Sequence, residues 1–201
     1  VSGGSAIADT SAVSIGSGAV FALAANETVG SIAGAGNVML GSNTLTAGGD
    51  NSSATLSGII SGTGSLTKTG NGGLTLSGAN TYNGTTTLGA GQLSINNAAA
   101  LGNSTFSIVS GTIDNTSAGA ITLNNNVQNW NGDFTFTGTN DLDMGTGAVA
   151  MNATRNVNVA NGNFTVGGNI SGSTFGLTKN GSGTMVLSGA NTFNGTTEIN
   201  G

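Results

Sequence analysis

Apolar residues along this chain come in short pairs two positions apart, set among Gly, Asn, Ser and Thr. Val13/Ile15, Phe21/Leu23, Val38/Leu40, Leu74/Leu76, Leu93/Ile95 and Phe106/Ile108 carry the rhythm through the first half. Ile121/Leu123, Phe134/Phe136, Leu142/Met144, Val149/Met151, Val157/Val159, Phe164/Val166 and Met185/Leu187 continue it. A spacing of two is the period of a strand whose alternate side chains point to opposite faces. No stretch carries an apolar stripe at i, i+3, i+4 and i+7 over two or more turns, so no amphipathic helix is predicted. The Gly and Asn between pairs read as turns, because Gly reaches positive φ freely and Asn tolerates it. Regular short strands with turn signals between them point to a sandwich, a barrel or a solenoid.

An internal repeat narrows that choice. Ser65–Leu88, SLTKTGNGGLTLSGANTYNGTTTL, returns over Gly176–Ile199 as GLTKNGSGTMVLSGANTFNGTTEI, and fifteen of the twenty-five positions paired at an offset of 111 are identical between 66–90 and 177–201. Leu74 becomes Met185, Tyr82 becomes Phe193 and Leu88 becomes Ile199, whereas Thr87 becomes Glu198. The first three positions behave as interior and the last as surface. The likeness extends outward, Val38–Leu40 pairing with Val149–Met151 and Ile60–Gly62 with Ile170–Gly172, so 38–90 and 149–201 are two copies of one module. With nine aromatics among 201 residues and many single Leu, Ile or Val per strand, the interior should be narrow. Residues 1–201 are therefore expected to form a single segment of right-handed parallel β-helix, its coils stacked through parallel ladders and like residues piled into columns. Coils of roughly 20–25 residues predict about eight to ten of them. The run VSGGSAIADTSAVSI at the start matches the small residues and Ser-Ile that follow the first copy, and the chain is expected to be an excerpt of a longer array.

Composition removes many functions. The chain has 37 glycines, no proline, cysteine or histidine, 5% charged residues and a net charge of −5. An apolar fraction of 36% with so little charge argues for a folded chain rather than a disordered one. Lys68, Arg155 and Lys179 are the only cations, too few for the footprint that nucleic acid or an anionic membrane demands. The longest apolar run, Ala19–Ala25, is far short of the roughly 20 residues that cross a bilayer as a helix, and no signal-peptide pattern opens the sequence.

The blocks LTKTGNGGLTLSGANTYNGTTTLGAGQL and LTKNGSGTMVLSGANTFNGTTEI resemble the autotransporter-associated β-strand repeat, also called the passenger-associated transport repeat, of bacterial surface proteins. The segment Gln128–Val149 resembles sequence found between such repeats in very large secreted proteins. The resemblance implies a right-handed β-helical passenger, exported across the outer membrane and held at or released from the cell surface. It also implies a role in secretion and stem folding, with effector activity lying elsewhere.

Without His or Cys, Ser-His-Asp and Cys-His nucleophile systems and the usual zinc sites are excluded. The acids Asp9, Glu27, Asp50, Asp114, Asp133, Asp141, Asp143 and Glu198 are mostly isolated. Asp141 and Asp143, two apart and followed by Gly145, echo the start of a calcium loop but lack its third ligand and distal Glu, and they read as an acidic turn. Lys68 and Lys179 occupy equivalent repeat positions and read as exposed turn residues that limit lateral aggregation. Tyr82, matched by Phe193, reads as core, while Trp130 between Asn129 and Asn131 is the better candidate for stacking on a sugar at the surface. No catalytic, cofactor or metal residue is assigned. The expected function is a non-catalytic extracellular stalk, fibre or adhesin scaffold, associating end to end or laterally and meeting a host or neighbouring-cell surface or a glycan. A carbohydrate-acting β-helix enzyme of the polysaccharide-lyase type is the alternative, because that class shares the architecture.

Overall fold

The computed structural model describes residues 6–201. Residues 1–5, which open the N-terminal run compared above with the end of the first copy, lie outside the described residues. Twenty-five short strands follow one another without a helix among the described residues, and every pairing between them is parallel. The chain winds as a parallel β-solenoid. Its first side is a ten-stranded sheet running from Ala12–Ile15 to Thr197–Ile199, enclosing nine turns, and its third side is an eight-stranded sheet from Glu27–Val29 to Ile170–Ser171. Between these, the second side is a three-stranded sheet (Val20–Ala22, Asn37–Met39, Ile60–Ser61) in the early coils and a four-stranded sheet (Ile121–Thr122, Leu142–Asp143, Asn163–Val166, Thr184–Leu187) in the later ones. Residues 77–84 and 96–104 cross this side without a strand.

Coil length follows from the register. Val20 faces Asn37 and Ile113 faces Phe136, so coils run from 17 to 23 residues, slightly shorter than the sequence suggested. The longest coils hold the aromatic part of the core. Trp130 meets Phe134 edge-on at 5.1 Å between ring centroids, and Phe134 and Phe136 both pack on Phe164. Elsewhere the interior is filled mostly by one aliphatic residue per position, as in the first-side column Leu56–Leu76–Ile95, where burial of apolar side chains supplies the main stabilisation.

The two repeat copies do not lie one above the other. From Leu66 the third-side register passes through Thr86, Phe106, Gln128 and Val149 to Ile170, five coils later, and Leu177 follows seven residues beyond on the first side. The second copy is thus advanced by one side of the solenoid. Leu66 sits on the third side and Leu177 on the first; Leu74 sits on the first and Met185 on the second. All three sides ask for the same alternation of apolar-in and polar-out, so one motif fits any of them.

Candidate functional site

The titratable and aromatic residues singled out from the sequence are scattered over the solenoid, and most are engaged in holding one coil to the next. Asp141 accepts from the backbone N–H and the side-chain amide of Asn163, both at 2.8 Å, and these two bonds hold its carboxyl below the ordinary aspartate value. Asp143 accepts from the N–H of Gly145 at 2.8 Å, and Gly145 turns the chain at a φ of 73°. The expected acidic turn is therefore a pair of backbone-binding carboxylates. Asp133 accepts from Asn156 through the backbone at 2.9 Å and the side chain at 2.8 Å, and Arg155 lies 3.6 Å away. Burial works against its charge, but the Asn156 bonds and the guanidinium together keep its carboxyl below the usual range. Asp114 binds the N–H and hydroxyl of Thr139 in the following coil. Asp50 binds Ser52. Among the described residues no three acids come together in a group fit to hold a metal ion.

Two expectations are corrected. Trp130 is fully buried rather than at the surface: it occupies an inward position in the third-side column Lys68–Leu88–Ile108–Trp130–Met151, and its indole N–H donates to Gln128 Oε1 at 3.2 Å. Its polar neighbours in sequence point away because successive strand residues alternate. Lys68 is the second case, only 1% exposed, its stem filling a place in the same column. The ammonium turns to a corner and donates to the carbonyls of Thr69, Gly70 (3.0 Å) and Ala90 (3.3 Å). Burial pushes its pKa down, opposed by the charge of Asp50. Lys179 stands at the corresponding place, partly buried, and donates to the carbonyl of Gly181, the counterpart of Gly70. Sequence reasoning missed this because a lysine among Gly and Thr looks like turn chemistry, whereas its long apolar stem can lie in a core while the charge reaches polar groups. Tyr82 is buried as expected; its hydroxyl meets Thr86 Oγ1 at 2.6 Å, and Thr86 Oγ1 meets Ser104 Oγ at 2.7 Å.

The SGANT segments, Ser77–Thr81 and Ser188–Thr192, keep one geometry although they stand on different sides. Asn80 Oδ1 accepts from the N–H of Ile60 at 2.8 Å, and Asn191 Oδ1 accepts from the N–H of Ile170 at 2.8 Å. Thr81 N–H donates to Ile60 O and Thr192 N–H to Ile170 O, each at 2.9 Å. A Cβ on Gly78 would stand 2.2 Å from Gly58 O, and one on Gly189 would stand 2.3 Å from Gly168 O, so only glycine admits the preceding coil. A short loop that carries its own set of contacts to the coil before it is reproduced twice. A profile described as the passenger-associated-transport-repeat matches residues 66–95 and 177–201. Two stretches of the chain are thus similar to the passenger-associated transport repeat. The adhesin BmaC autotransporter of Brucella suis biovar 1 (strain 1330) is 41% identical over 76 residues, which is 38% of this chain. The chain spans 2% of the length of that relative. No solved structure matches it.

Within the repeat, the asparagine of GANT is the residue that ties three coils together, since Asn80 Nδ2 also donates to Ala100 O at 2.6 Å in the coil above. Asn80→Ala leaves a buried donor and a buried acceptor without partners and is expected to cost about 2 kcal/mol. Asn191→Ala, which breaks a partly exposed bond, should cost less than half of that. Equal losses in urea titrations of the two variants would contradict this assignment.

Proposed function

We propose that the chain is a non-catalytic segment of a bacterial surface passenger, a stiff adhesive scaffold displayed outside the cell. The observation that carries this reading is the engagement of Asp114, Asp133, Asp141 and Lys68 in bonds along the rod. Asp114, Asp133 and Asp141 each bind the following coil, and Lys68 binds carbonyls of its own corner and the next. A glycoside-cleaving or lyase site needs carboxylates or a base free to face a substrate across a cleft. The two stretches similar to the passenger repeat and the likeness to part of an adhesin support the same reading. End-to-end association belongs to it as well. Every coil is joined to its neighbours by parallel ladders, so the edge of one coil is a template on which a further coil can pair, of this chain or of another.

Beads coated with the purified chain should bind host or bacterial cells above uncoated beads, while pectin, alginate and similar polymers should show no new ultraviolet absorbance from unsaturated products. Release of such products would remove the scaffold reading in favour of the lyase alternative. Sedimentation velocity tests the association: a single monomeric species at every concentration rules it out.

A further inference from the structure

Most glycines in this chain are required. Gly72 is representative, a Cβ there standing 2.1 Å from Ser52 O. Its neighbour Gly73 is different. It begins the first-side strand Gly73–Leu76 without a positive φ, and a Cβ on it would stand 3.4 Å from Ser53 Oγ, with Ser53 Cβ and Gln92 Cβ at 3.8 and 3.9 Å, ordinary contact throughout. The second repeat copy carries Thr184 at the same position. A side chain therefore fits the backbone and the packing at this point of the motif, and glycine within a strand weakens it. What Gly73 supplies is open space.

That space is the floor of a groove of about 410 Å³ on the outer surface of the first side, crossing three stacked strands. Thr55, Thr75 and Ser94 follow one another across it in register, and Asn71, Gln92 and Thr116 stand around them. The hydroxyls of Thr55 and Thr75 make no hydrogen bond within the described residues. Gln92 Nε2 donates to Ser94 Oγ at 3.0 Å, which leaves its carbonyl oxygen to accept. No charged and no aromatic side chain lines the groove.

We infer that this groove is a binding site for a neutral, hydroxyl-rich ligand, a short stretch of uncharged oligosaccharide lying across the coils over Gly73. The chemistry selects that class. Free hydroxyls and an amide both donate and accept, as sugar hydroxyls do. A charged ligand would lose hydration with no counter-charge to replace it, and an apolar ligand would cover polar groups without satisfying them. The regular spacing of about 4.8 Å between strands repeats the same donor–acceptor set along the axis, which suits a polymer. With no ring to stack on, each contact is weak, and strength comes from repetition along a rod and between rods. The inference rests on the adhesive reading above and gives it a ligand class.

The test titrates the isotope-labelled chain with six-unit oligomers of β-1,4-glucose, α-1,4-glucose, β-1,4-N-acetylglucosamine and α-1,6-mannose at millimolar concentration, following amide shifts by NMR. At least one oligomer should move the amides of Thr55, Thr75, Gln92 and Thr116 while leaving the third side unmoved. Gly73→Thr, which installs the residue of the other repeat, should weaken that binding about tenfold or more without lowering the thermal midpoint. Absence of shifts with all four oligomers, equal binding by Gly73→Thr, or equal binding of an oligogalacturonate would each overturn the inference. The coated-bead assay separates it from the broader reading. Cell adhesion with no sugar binding sinks the groove alone, and sugar binding without adhesion sinks the adhesive scaffold alone.

Discussion

Trp130→Ala should lower the free energy of unfolding by about 3–5 kcal/mol, the range for removing a large aromatic side chain from a core that cannot collapse around the gap. The side chain is fully buried, stacked between Ile108 and Met151 and edge-on to Phe134, in the part of the rod where the coils are longest. Parallel ladders above and below fix the separation of the coils, so the backbone has little freedom to close the cavity. The variant also deprives Gln128 Oε1 of its donor, beside a Gln128 Nε2 that already lacks a partner. Because each coil touches only its neighbours, stability along a solenoid is a sum of local and nearest-neighbour contributions. A defect at the middle should therefore also divide the unfolding curve into two steps. Circular dichroism in urea reads both effects, since the variant has no tryptophan left to report. A loss below about 1 kcal/mol would contradict the packing described here.

Alkaline pH should destabilise the rod through Tyr82. Burial pushes its hydroxyl from 10.0 up to about 12, outweighing the opposing bonds from Thr86 and Ser104. A group whose folded value lies above its unfolded one contributes stability that is complete below the unfolded pKa and is lost as pH rises through the folded one. The window is therefore pH 10 to 12, and a gap of two units corresponds to about 3 kcal/mol lost across it. Lys68 acts in the opposite sense. With its folded value depressed by burial, it makes the protein more stable as pH climbs toward the ordinary lysine value of 10.5. Comparing the wild type with Tyr82→Phe isolates the tyrosine. Phe193 shows that the repeat accepts phenylalanine, so the variant should be about 1 kcal/mol less stable at neutral pH, from the lost bond to Thr86, and should keep its midpoint between pH 10 and 12 where the wild type falls. Parallel decline of both proteins in that window would show that Tyr82 is not the group responsible.

Lys68 and Trp130 illustrate why candidate site residues were harder to place than strands. Both were read from their neighbours in sequence, Gly and Thr around the lysine and Asn around the tryptophan, and both are inward residues of one column. Neighbours in sequence alternate between interior and surface, so they say little about burial; neighbours in the adjacent coil decide it, and these lie about twenty residues away. Asn80 and Asn191 were visible as identical positions but not as ties between coils, because their acceptors and donors belong to other turns. Gly73 opposite Thr184 was also visible in the aligned repeats. Its meaning needed the measured space around the missing Cβ.

The spacing of apolar pairs and the repeat by themselves determined the all-β, parallel, stacked character of this protein. A period of two and a narrow range of side-chain sizes admit few other folds, and the absence of His and Cys already removed Ser-His-Asp and Cys-His nucleophile systems and the usual zinc sites. Tertiary structure alone decided which side of the rod each copy occupies. A distance of 111 residues is five coils and seven residues more, so the second repeat is turned by one side, a result that depends on summed coil lengths which no local pattern records. It also decided that Asp114, Asp133 and Asp141 serve the stacking. Hydrogen bonds between coils join residues close in space and distant in sequence, and only the wound chain brings them together.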